Sequence, residues 1–196
     1  MNMKKHIGRL VAALMSAGIS LSPAYAELVL NGGFESGDLS GWSCTGTDVC
    51  GVFGPAGVHT GDHAMYGRDD AGYGTLSQAI STIEGARYEF SFFSMVYPLA
   101  ADPESPGNQL YYSLSDYAAK VSVLRTLEWA QTVASFVATG DTTPIEFYFS
   151  NGEGLTGTWR IDDISVARIP EPTTLALFGL GLAGLGAIRW KTRLAA

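Results

Sequence analysis

Short runs in which apolar and polar residues alternate dominate the middle of this chain and constrain its fold more than any other feature. In the run 88–97 the alternation places Tyr88, Phe90 and Phe92 on one face, and the run 145–149 repeats the pattern. Further predicted strands are 110–114, 120–124, 132–138 and 161–167, with Gly-rich connectors at 51–74 and 151–157 and a long exposed loop at 101–108. Roughly seven or eight short strands, with no helical period longer than about two turns, predict an all-β fold, a β-sandwich.

The first 26 residues have the pattern of a secretory signal peptide. Lys4, Lys5 and Arg9 precede an apolar stretch at 10–21, and the small residues of the Ala24-Tyr25-Ala26 triplet occupy the positions that determine cleavage. We therefore expect the secretion translocon to export the chain and signal peptidase to remove residues 1–26.

The C-terminal end combines a proline-rich triplet, a short apolar run and a basic cluster. Pro170, Glu171 and Pro172 stop any preceding strand, and a transmembrane helix is predicted at 173–190. The uncharged part of this helix reaches roughly 21 to 24 Å, against a hydrocarbon core of about 30 Å. The basic residues at 189–193 belong on the cytoplasmic side, so the rest of the chain is expected across the membrane.

Taken together, the triplet, the short helix and the basic cluster closely resemble the PEP-CTERM sorting signal of Gram-negative bacteria, over residues 169–193. The resemblance implies recognition by an exosortase, which is a membrane-embedded protease. It also implies removal of the tail and delivery to the cell surface or the exopolysaccharide matrix. In this interpretation the membrane helix is a transient anchor. An ordinary short tail anchor that is never removed is the alternative.

The remaining segment, 27–168, is long enough for one domain with a core and too short for two. It holds 6 of the chain's 12 basic residues and 18 of its 19 acidic residues, so its formal net charge is −12. We do not expect nucleic acid as a partner, because phosphate binding needs clustered Lys and Arg.

The only two cysteines, Cys44 and Cys50, lie in this exported segment. An oxidising compartment favours a local disulfide between them. Two free thiols are the alternative. A metal site formed by these two cysteines is disfavoured, because the chain has no further cysteine and no histidine lies near them.

The succession of short motifs over 27–167 resembles a galactose-binding-like jelly roll of the carbohydrate-binding-module type. The motifs are NGGFE at 31–35, predicted as the opening strand, SGDLSGW at 36–42, VHTGDHA at 58–64, LSQAI at 76–80, GARYEFSF at 85–92 and IDDISV at 161–166. The resemblance implies a jelly-roll sandwich that binds polysaccharide or associates with it.

The same resemblance implies a structural Ca²⁺ ligated by Glu35 and Asp162, with backbone carbonyls near Gly33 assisting. Ca²⁺ takes several oxygen ligands, and carboxylates far apart in sequence can meet in a sandwich. Alternation places Asp162 on the same face as Ile164 and Asp163 on the other face. Two exposed acids at strand ends are the alternative.

Aromatic residues around the loop 101–108 are candidate sugar platforms, because the C–H groups of a sugar stack on aromatic rings. We single out Tyr97, Tyr111 and Tyr112 as ligand-binding candidates. The adjacent Tyr111 and Tyr112 point to opposite faces of their strand, so at most one of them lies in the core. Trp42 is expected to pack over the core.

No pattern of catalytic residues stands out. His59 and His63 are four apart, but glycines bracket His59 and there is no helical pattern, so we expect loop histidines and not a metal pair. Asp69 and Asp70, adjacent in a Gly-rich loop, are expected to be solvated. We therefore expect an exported, sorted, non-catalytic protein that binds polysaccharide. A glycan-processing enzyme and a structural matrix protein without a specific ligand are the alternatives.

Overall fold

The computed structural model describes residues 27–46, 49–69, 72–98, 109–114, 117–120, 128–150 and 157–170. These residues form ten strands: β1 Ser43–Thr45, β2 Val49–Phe53, β3 Ala64–Arg68, β4 Gly74–Ser81, β5 Arg87–Pro98, β6 Gln109–Leu114, β7 Tyr117–Lys120, β8 Ala130–Val137, β9 Thr142–Ser150 and β10 Gly157–Arg168. The predicted signal peptide, membrane helix and 101–108 loop lie outside the described residues. Within the described ranges, no helix has the length and hydropathy needed to span a membrane.

The strands form two five-stranded sheets. We call them the front sheet, in the order β1-β4-β9-β6-β7, and the back sheet, in the order β2-β3-β10-β5-β8. Every pair of neighbouring strands is antiparallel. The predicted all-β sandwich is confirmed.

The core lies between the two sheets and is filled by alternate side chains. Tyr88, Phe90 and Phe92 of β5 are buried, as the alternation predicts, and Phe147 of β9 packs edge-on against Phe92 with ring centroids 4.9 Å apart. Trp42 is 8% exposed and contacts Phe147 with ring centroids 6.3 Å apart, so it is a core residue as predicted.

The predicted connector at 51–74 is wrong, because it contains most of β2 and all of β3. Two of its glycines, Gly51 and Gly67, lie inside these strands and allow close packing. A Cβ on Gly67 would lie 2.5 Å from the ring of Phe149, and one on Gly51 would lie 2.9 Å from the Tyr66 hydroxyl oxygen. The structure therefore has more strands than the sequence predicts.

The predicted opening strand at 31–35 is also wrong, because this segment forms turns. Asn31 and Phe34 have positive φ angles of 52° and 58°, and the Phe34 N–H donates to the Asn31 carbonyl at 3.1 Å. The buried Gln78 of β4 holds the segment in place of strand pairing. Its amide accepts from the Leu30 N–H at 2.8 Å and donates to the carbonyls of Leu30 at 2.9 Å and Gly41 at 3.0 Å.

A disulfide joins Cys44 to Cys50, as the sequence predicts. Cys44 lies on β1, at an edge of the front sheet, and Cys50 lies on β2, at an edge of the back sheet. The bond therefore links the two sheets at one side of the sandwich.

A β-bulge interrupts β10 at Asp162 and Asp163. Asp162 lies opposite Phe93, Asp163 has a positive φ of 49°, and the register shifts beyond it. Directly opposite residues of an antiparallel pair share a face, so Asp162 belongs with Phe93 on the outer side of the back sheet, whereas Ile164 is buried in the core. The predicted shared face of Asp162 and Ile164 is wrong, because counting alternate residues takes no account of a bulge.

Candidate functional site

The outer face of the front sheet carries a group of tyrosines. Tyr111 of β6 lies directly opposite Tyr148 of β9, and Tyr73, just before β4, contacts Tyr111 edge-on with ring centroids 6.0 Å apart. Tyr73 is 48% exposed, and Tyr111 and Tyr148 are partly exposed. We call these three residues the tyrosine face.

Polar side chains on the same face hold the phenol groups of the tyrosine face. The Tyr111 hydroxyl donates to Gln109 Oε1 at 2.6 Å, and the Tyr73 hydroxyl donates to the same oxygen at 3.3 Å. The Tyr148 hydroxyl donates to Glu146 Oε2 at 2.6 Å. These bonds fix the tyrosine side chains before any ligand arrives, which lowers the entropy cost of binding.

Two tyrosines of the face have raised pKa values. The hydrogen bond to Glu146, followed by burial, raises the pKa of Tyr148. Burial, followed by the neighbouring Tyr111, raises the pKa of Tyr73. Both phenols therefore stay protonated at neutral pH, and their rings remain uncharged surfaces on which a sugar can stack.

The structure separates the three tyrosines that the sequence singles out. Tyr111 lies on the front sheet, whereas Tyr97 is 39% exposed on β5 of the back sheet. Tyr112 is only 4% exposed and packs against Phe90 and Phe92 in the core, so its prediction as a ligand-binding residue is wrong.

The sequence patterns did not single out the other members of the group: Tyr73, Gln109, Glu146 and Tyr148. A signal for two of them exists in the alternating run 145–149. Its odd-numbered residues form the core side, so Glu146 and Tyr148 must face outward. The position of Tyr73 outside any strand gives no such signal.

A second cluster gathers carboxylates around Gly33. A Cβ on Gly33 would lie 3.6 Å from Asp163 Oδ1, 3.7 Å from Glu35 Cγ and 3.9 Å from Asp162 Oδ1. Glu35 and Asp162, distant in sequence, therefore border the same point of the backbone. We call Gly33 and these three acids the carboxylate cluster.

The two predicted ligands of the carboxylate cluster have different environments. Glu35 accepts the backbone N–H groups of Asp62 at 3.1 Å and His63 at 3.0 Å, and these bonds lower its pKa. Asp162 is fully buried, and burial raises its pKa to about 6 although it accepts the N–H groups of His59 at 2.9 Å and Asp163 at 2.8 Å. The ionised form of Asp162 is therefore stabilised less than that of an exposed carboxylate.

Among the residues that the structure describes, no three His, Cys, Asp or Glu side chains converge as metal ligands. A Ca²⁺ ion at the carboxylate cluster would thus need backbone carbonyls, such as that of Gly33, in addition to the carboxylates.

Both histidines lie in the loop between β2 and β3, as predicted, and they face different carboxylates. His59 Nδ1 lies 2.6 Å from Asp163 Oδ2, and its ring stacks on Phe93 with centroids 3.5 Å apart. His63 Nδ1 lies 3.9 Å from Glu35 Oε2. The His59 side chain thus holds this loop over the carboxylate cluster.

The prediction that Asp69 is solvated is wrong. Asp69 is 6% exposed, and its Oδ1 accepts the N–H of Gly72 at 2.7 Å. The carboxylate closes a short turn before β4. Asp70 lies outside the described residues.

Comparison with known families gives two matches. The carbohydrate binding domain family matches residues 26–158, which is more than half of the chain, and the PEP-CTERM protein-sorting motif matches residues 168–191. Because the matched family consists of binding domains, this match does not favour the alternative that the chain is a glycan-processing enzyme.

Solved structures share the fold. TmCBM61, determined in complex with β-1,4-galactotriose, is 23% identical, with a TM-score of 0.59 over 74% of this chain and 99% of its own. The CBM22-1 xylan-binding domain from Paenibacillus barcinonensis Xyn10C is 12% identical, with a TM-score of 0.54 over 76% of this chain and 98% of its own. A CBM4 structure is 15% identical, with a TM-score of 0.53 over 72% of this chain and 99% of its own. No curated protein sequence matches the chain.

These likenesses confirm the jelly-roll sandwich, and the sorting motif confirms the resemblance at the C-terminal end. The chain thus belongs to the carbohydrate binding domain family, and it carries a PEP-CTERM sorting motif, which fits an exported surface protein that an exosortase sorts.

Proposed function

We propose that polysaccharide binds across the tyrosine face of the front sheet. The observation that carries this proposal is the pairing of Tyr111 with Tyr148, two partly exposed rings on neighbouring strands, whose hydroxyls are anchored on Gln109 and Glu146. Adjacent rings on one sheet offer a continuous surface for consecutive sugar units.

Gln109 and Glu146 supply the polar part of this site. Gln109 Oε1 already accepts the hydroxyls of Tyr111 and Tyr73, but the carboxylate of Glu146 has further acceptor capacity and the Gln109 amide nitrogen can donate. Sugar hydroxyl groups can therefore replace water on these side chains while the C–H faces cover the rings. The negative charge of Glu146 favours a neutral polysaccharide over an acidic one.

The relatives suggest the first ligands to test. TmCBM61 was determined with β-1,4-galactotriose, and the Paenibacillus domain is described as xylan-binding. Fragments of β-1,4-galactan and xylan are accordingly our first probes for this chain.

A glycan array probed with the full chain, purified in detergent, tests the proposal. We expect binding to at least one neutral polysaccharide fragment, and a weaker signal in Tyr148→Ala. Tyr97→Ala, an equal truncation on the back sheet, is the matched control and should keep the signal. Equal signals from wild type and Tyr148→Ala would overturn the proposal.

Calcium is a second part of the proposal. A Ca²⁺ ion would be held by Glu35, Asp162 and the Gly33 carbonyl in the carboxylate cluster. The support is the position of Glu35 and Asp162 beside Gly33, together with the burial of Asp162, whose negative charge a cation would stabilise. Such an ion would fix the bulge of β10 and the turn after Asn31 relative to each other.

The route to the surface completes the proposal. The secretion translocon exports the chain, signal peptidase removes residues 1–26, and the 173–190 helix holds the folded domain at the membrane until an exosortase cuts near Pro170. The support is the order of the segments in the sequence and the match of the sorting motif to 168–191. A permanent tail anchor is the competing account.

A further inference from the structure

Arg160 forms the centre of an aromatic cluster on the outer face of the back sheet, opposite to the tyrosine face. Its guanidinium carbon lies 4.2 Å from the centroid of the Phe53 ring and 4.4 Å from that of the Tyr97 ring. Phe53 and Tyr66 contact each other edge-on with centroids 6.0 Å apart. The four residues come from four neighbouring strands: β2, β3, β10 and β5.

These residues line an open cleft of about 390 Å³, together with Val52 and Thr158. The volume falls near the lower end of the roughly 300 to 1,000 Å³ range of ligand sites. We call this space the Arg160 cleft. It has the mixture expected of a ligand site: apolar rings, a few hydroxyl groups and one charge.

Few of the residues that the structure describes compensate the charge of Arg160. A guanidinium carries about five N–H donors, and the hydrogen bond found for Arg160 among the described residues runs from Nη1 to the Gly57 carbonyl at 2.9 Å. Within the described ranges, the ion pairs are His59 with Asp163 and His63 with Glu35, so no described carboxylate pairs with Arg160. Desolvation lowers the pKa of Arg160, yet the group stays charged at neutral pH.

Arg160 is also held in position before any ligand binds. Gly57 has a positive φ of 84°, and the guanidinium passes so close that a Cβ at this position would collide with Nη1. The two rings on either side further limit the motion of the side chain. A guanidinium fixed beside aromatic rings suits a ligand that has a planar carboxylate and a ring with an apolar C–H face. The carboxylate would bind the guanidinium and the C–H face would lie on an aromatic ring.

The strong negative charge of segment 27–168 narrows the choice of ligand. A polyanion with several charges on each unit would be repelled most strongly by the domain as a whole. A sugar unit with a single carboxylate can be bound by the one guanidinium of Arg160, and the C–H groups of the sugar can lie on Tyr97. We propose that the Arg160 cleft binds a uronic acid residue of an acidic polysaccharide.

The consequence is a domain with two different glycan sites, one on each outer face. If the proposed neutral site on the tyrosine face is also present, one copy of the protein can join a neutral chain to an acidic chain within the matrix. The uronate site itself does not depend on the tyrosine face.

Calorimetric titration of the full chain in detergent tests this proposal, with three probes: tri-galacturonate, neutral galactotriose and sodium acetate. We expect tri-galacturonate to bind the wild type, and Arg160→Gln to weaken binding about tenfold or more, since bonds between a guanidinium and a carboxylate are charge-assisted. Acetate should compete poorly, because it lacks the sugar ring.

Matched variants separate a ligand role from a structural one. Arg87→Gln removes the same charge from an exposed position on the outer face of β5 and should bind as the wild type does. Tyr97→Ala keeps Arg160 but removes the ring beside it, so it should also weaken the binding of tri-galacturonate. Tyr111→Ala should affect only neutral sugars, so failure of one site is distinguishable from failure of the other. The melting temperature of each variant, compared with that of the wild type, shows whether the variant is folded.

Three outcomes would overturn the proposal. The first is no binding of tri-galacturonate by the wild type at millimolar concentration. The second is unchanged binding in both Arg160→Gln and Tyr97→Ala. The third is equal competition by acetate or galactotriose, which would show that the cleft recognises a bare anion or a neutral sugar.

Discussion

Cys44 on β1 is bonded to Cys50 on β2, and the two strands belong to different sheets. The bond closes only a short loop, so the chain-entropy estimate of its contribution to the free energy of unfolding is about 2 kcal/mol. The disulfide therefore stabilises the edge at which the front and back sheets meet.

We predict that replacing both cysteines by serine lowers the free energy of unfolding by about 2 kcal/mol, because the unfolded chain regains the entropy of the open loop. Denaturant titration measures the change. Reductant should lower the midpoint of the wild type and leave the double variant unaffected. Equal midpoints for the wild type and the variant would contradict the prediction.

Calcium removal provides the second prediction. If the carboxylate cluster holds Ca²⁺, a hundredfold excess of the ion over its Kd stabilises the fold by about 2.7 kcal/mol, and a chelator should lower the melting temperature. Glu35→Gln and Asp162→Asn should each remove most of the sensitivity to chelator. If chelator leaves the melting temperature of the wild-type protein unchanged, the protein has no such calcium site.

The pH dependence of stability provides the third prediction. The pKa of Asp162 is raised from 3.8 to about 6, so without calcium the folded chain binds more protons than the unfolded chain between these values. Its stability in chelator should accordingly fall as pH rises from about 4 to about 6. Asp162→Asn should flatten this part of a plot of melting temperature against pH.

Asp38→Asn is the control for the pH experiment. Hydrogen bonds from Ser40 and Ser36 lower the pKa of Asp38 to about 2, so its contribution is lost only as pH falls below about 3.8. Between pH 4 and 6 this variant should follow the wild type. If Asp162→Asn also follows the wild type there, burial of Asp162 does not govern the profile.

Processing of both ends provides the fourth prediction. A membrane helix of roughly 24 Å at most is short for the bilayer and is expected to be a temporary anchor. Intact-mass measurement of the matrix-associated protein should show a chain that begins at Glu27 and lacks the segment from about Thr173. Replacing Pro170, Glu171 and Pro172 together should leave the tail attached. A mature wild-type protein that retains residue 196 would favour the permanent anchor.

Local alternation predicted much of the fold, because it reports which side chains face the core. The pattern identified β5 and β9, and it allowed at most one of Tyr111 and Tyr112 to lie in the core, as observed. It failed where the backbone departs from regular strands. The bulge at Asp162 reverses the expected face, and Gly67 reads as a turn residue although it packs in a strand under Phe149.

The candidate sites were less predictable, because they depend on which strands become neighbours. The sequence grouped Tyr97 with Tyr111, yet the sheet order places them on opposite faces of the sandwich. The contact of Gln78 with Leu30 and the approach of Arg160 to Phe53 likewise join segments that are far apart in the chain. Local patterns carry no information on such pairings.

The fifth prediction concerns the tyrosine face, on which the account of polysaccharide binding depends. Loss of one stacking ring should weaken binding about tenfold, which corresponds to about 1.4 kcal/mol. We expect this loss in Tyr111→Ala and in Tyr148→Ala, a larger loss in the double variant, and no change in Tyr97→Ala.

Calorimetric titration of these variants with the neutral fragment that binds best to the wild type is the most direct measurement. We expect the double variant to lose detectable binding while its melting temperature stays close to that of the wild type. A double variant that binds the neutral fragment with the wild-type Kd would contradict it.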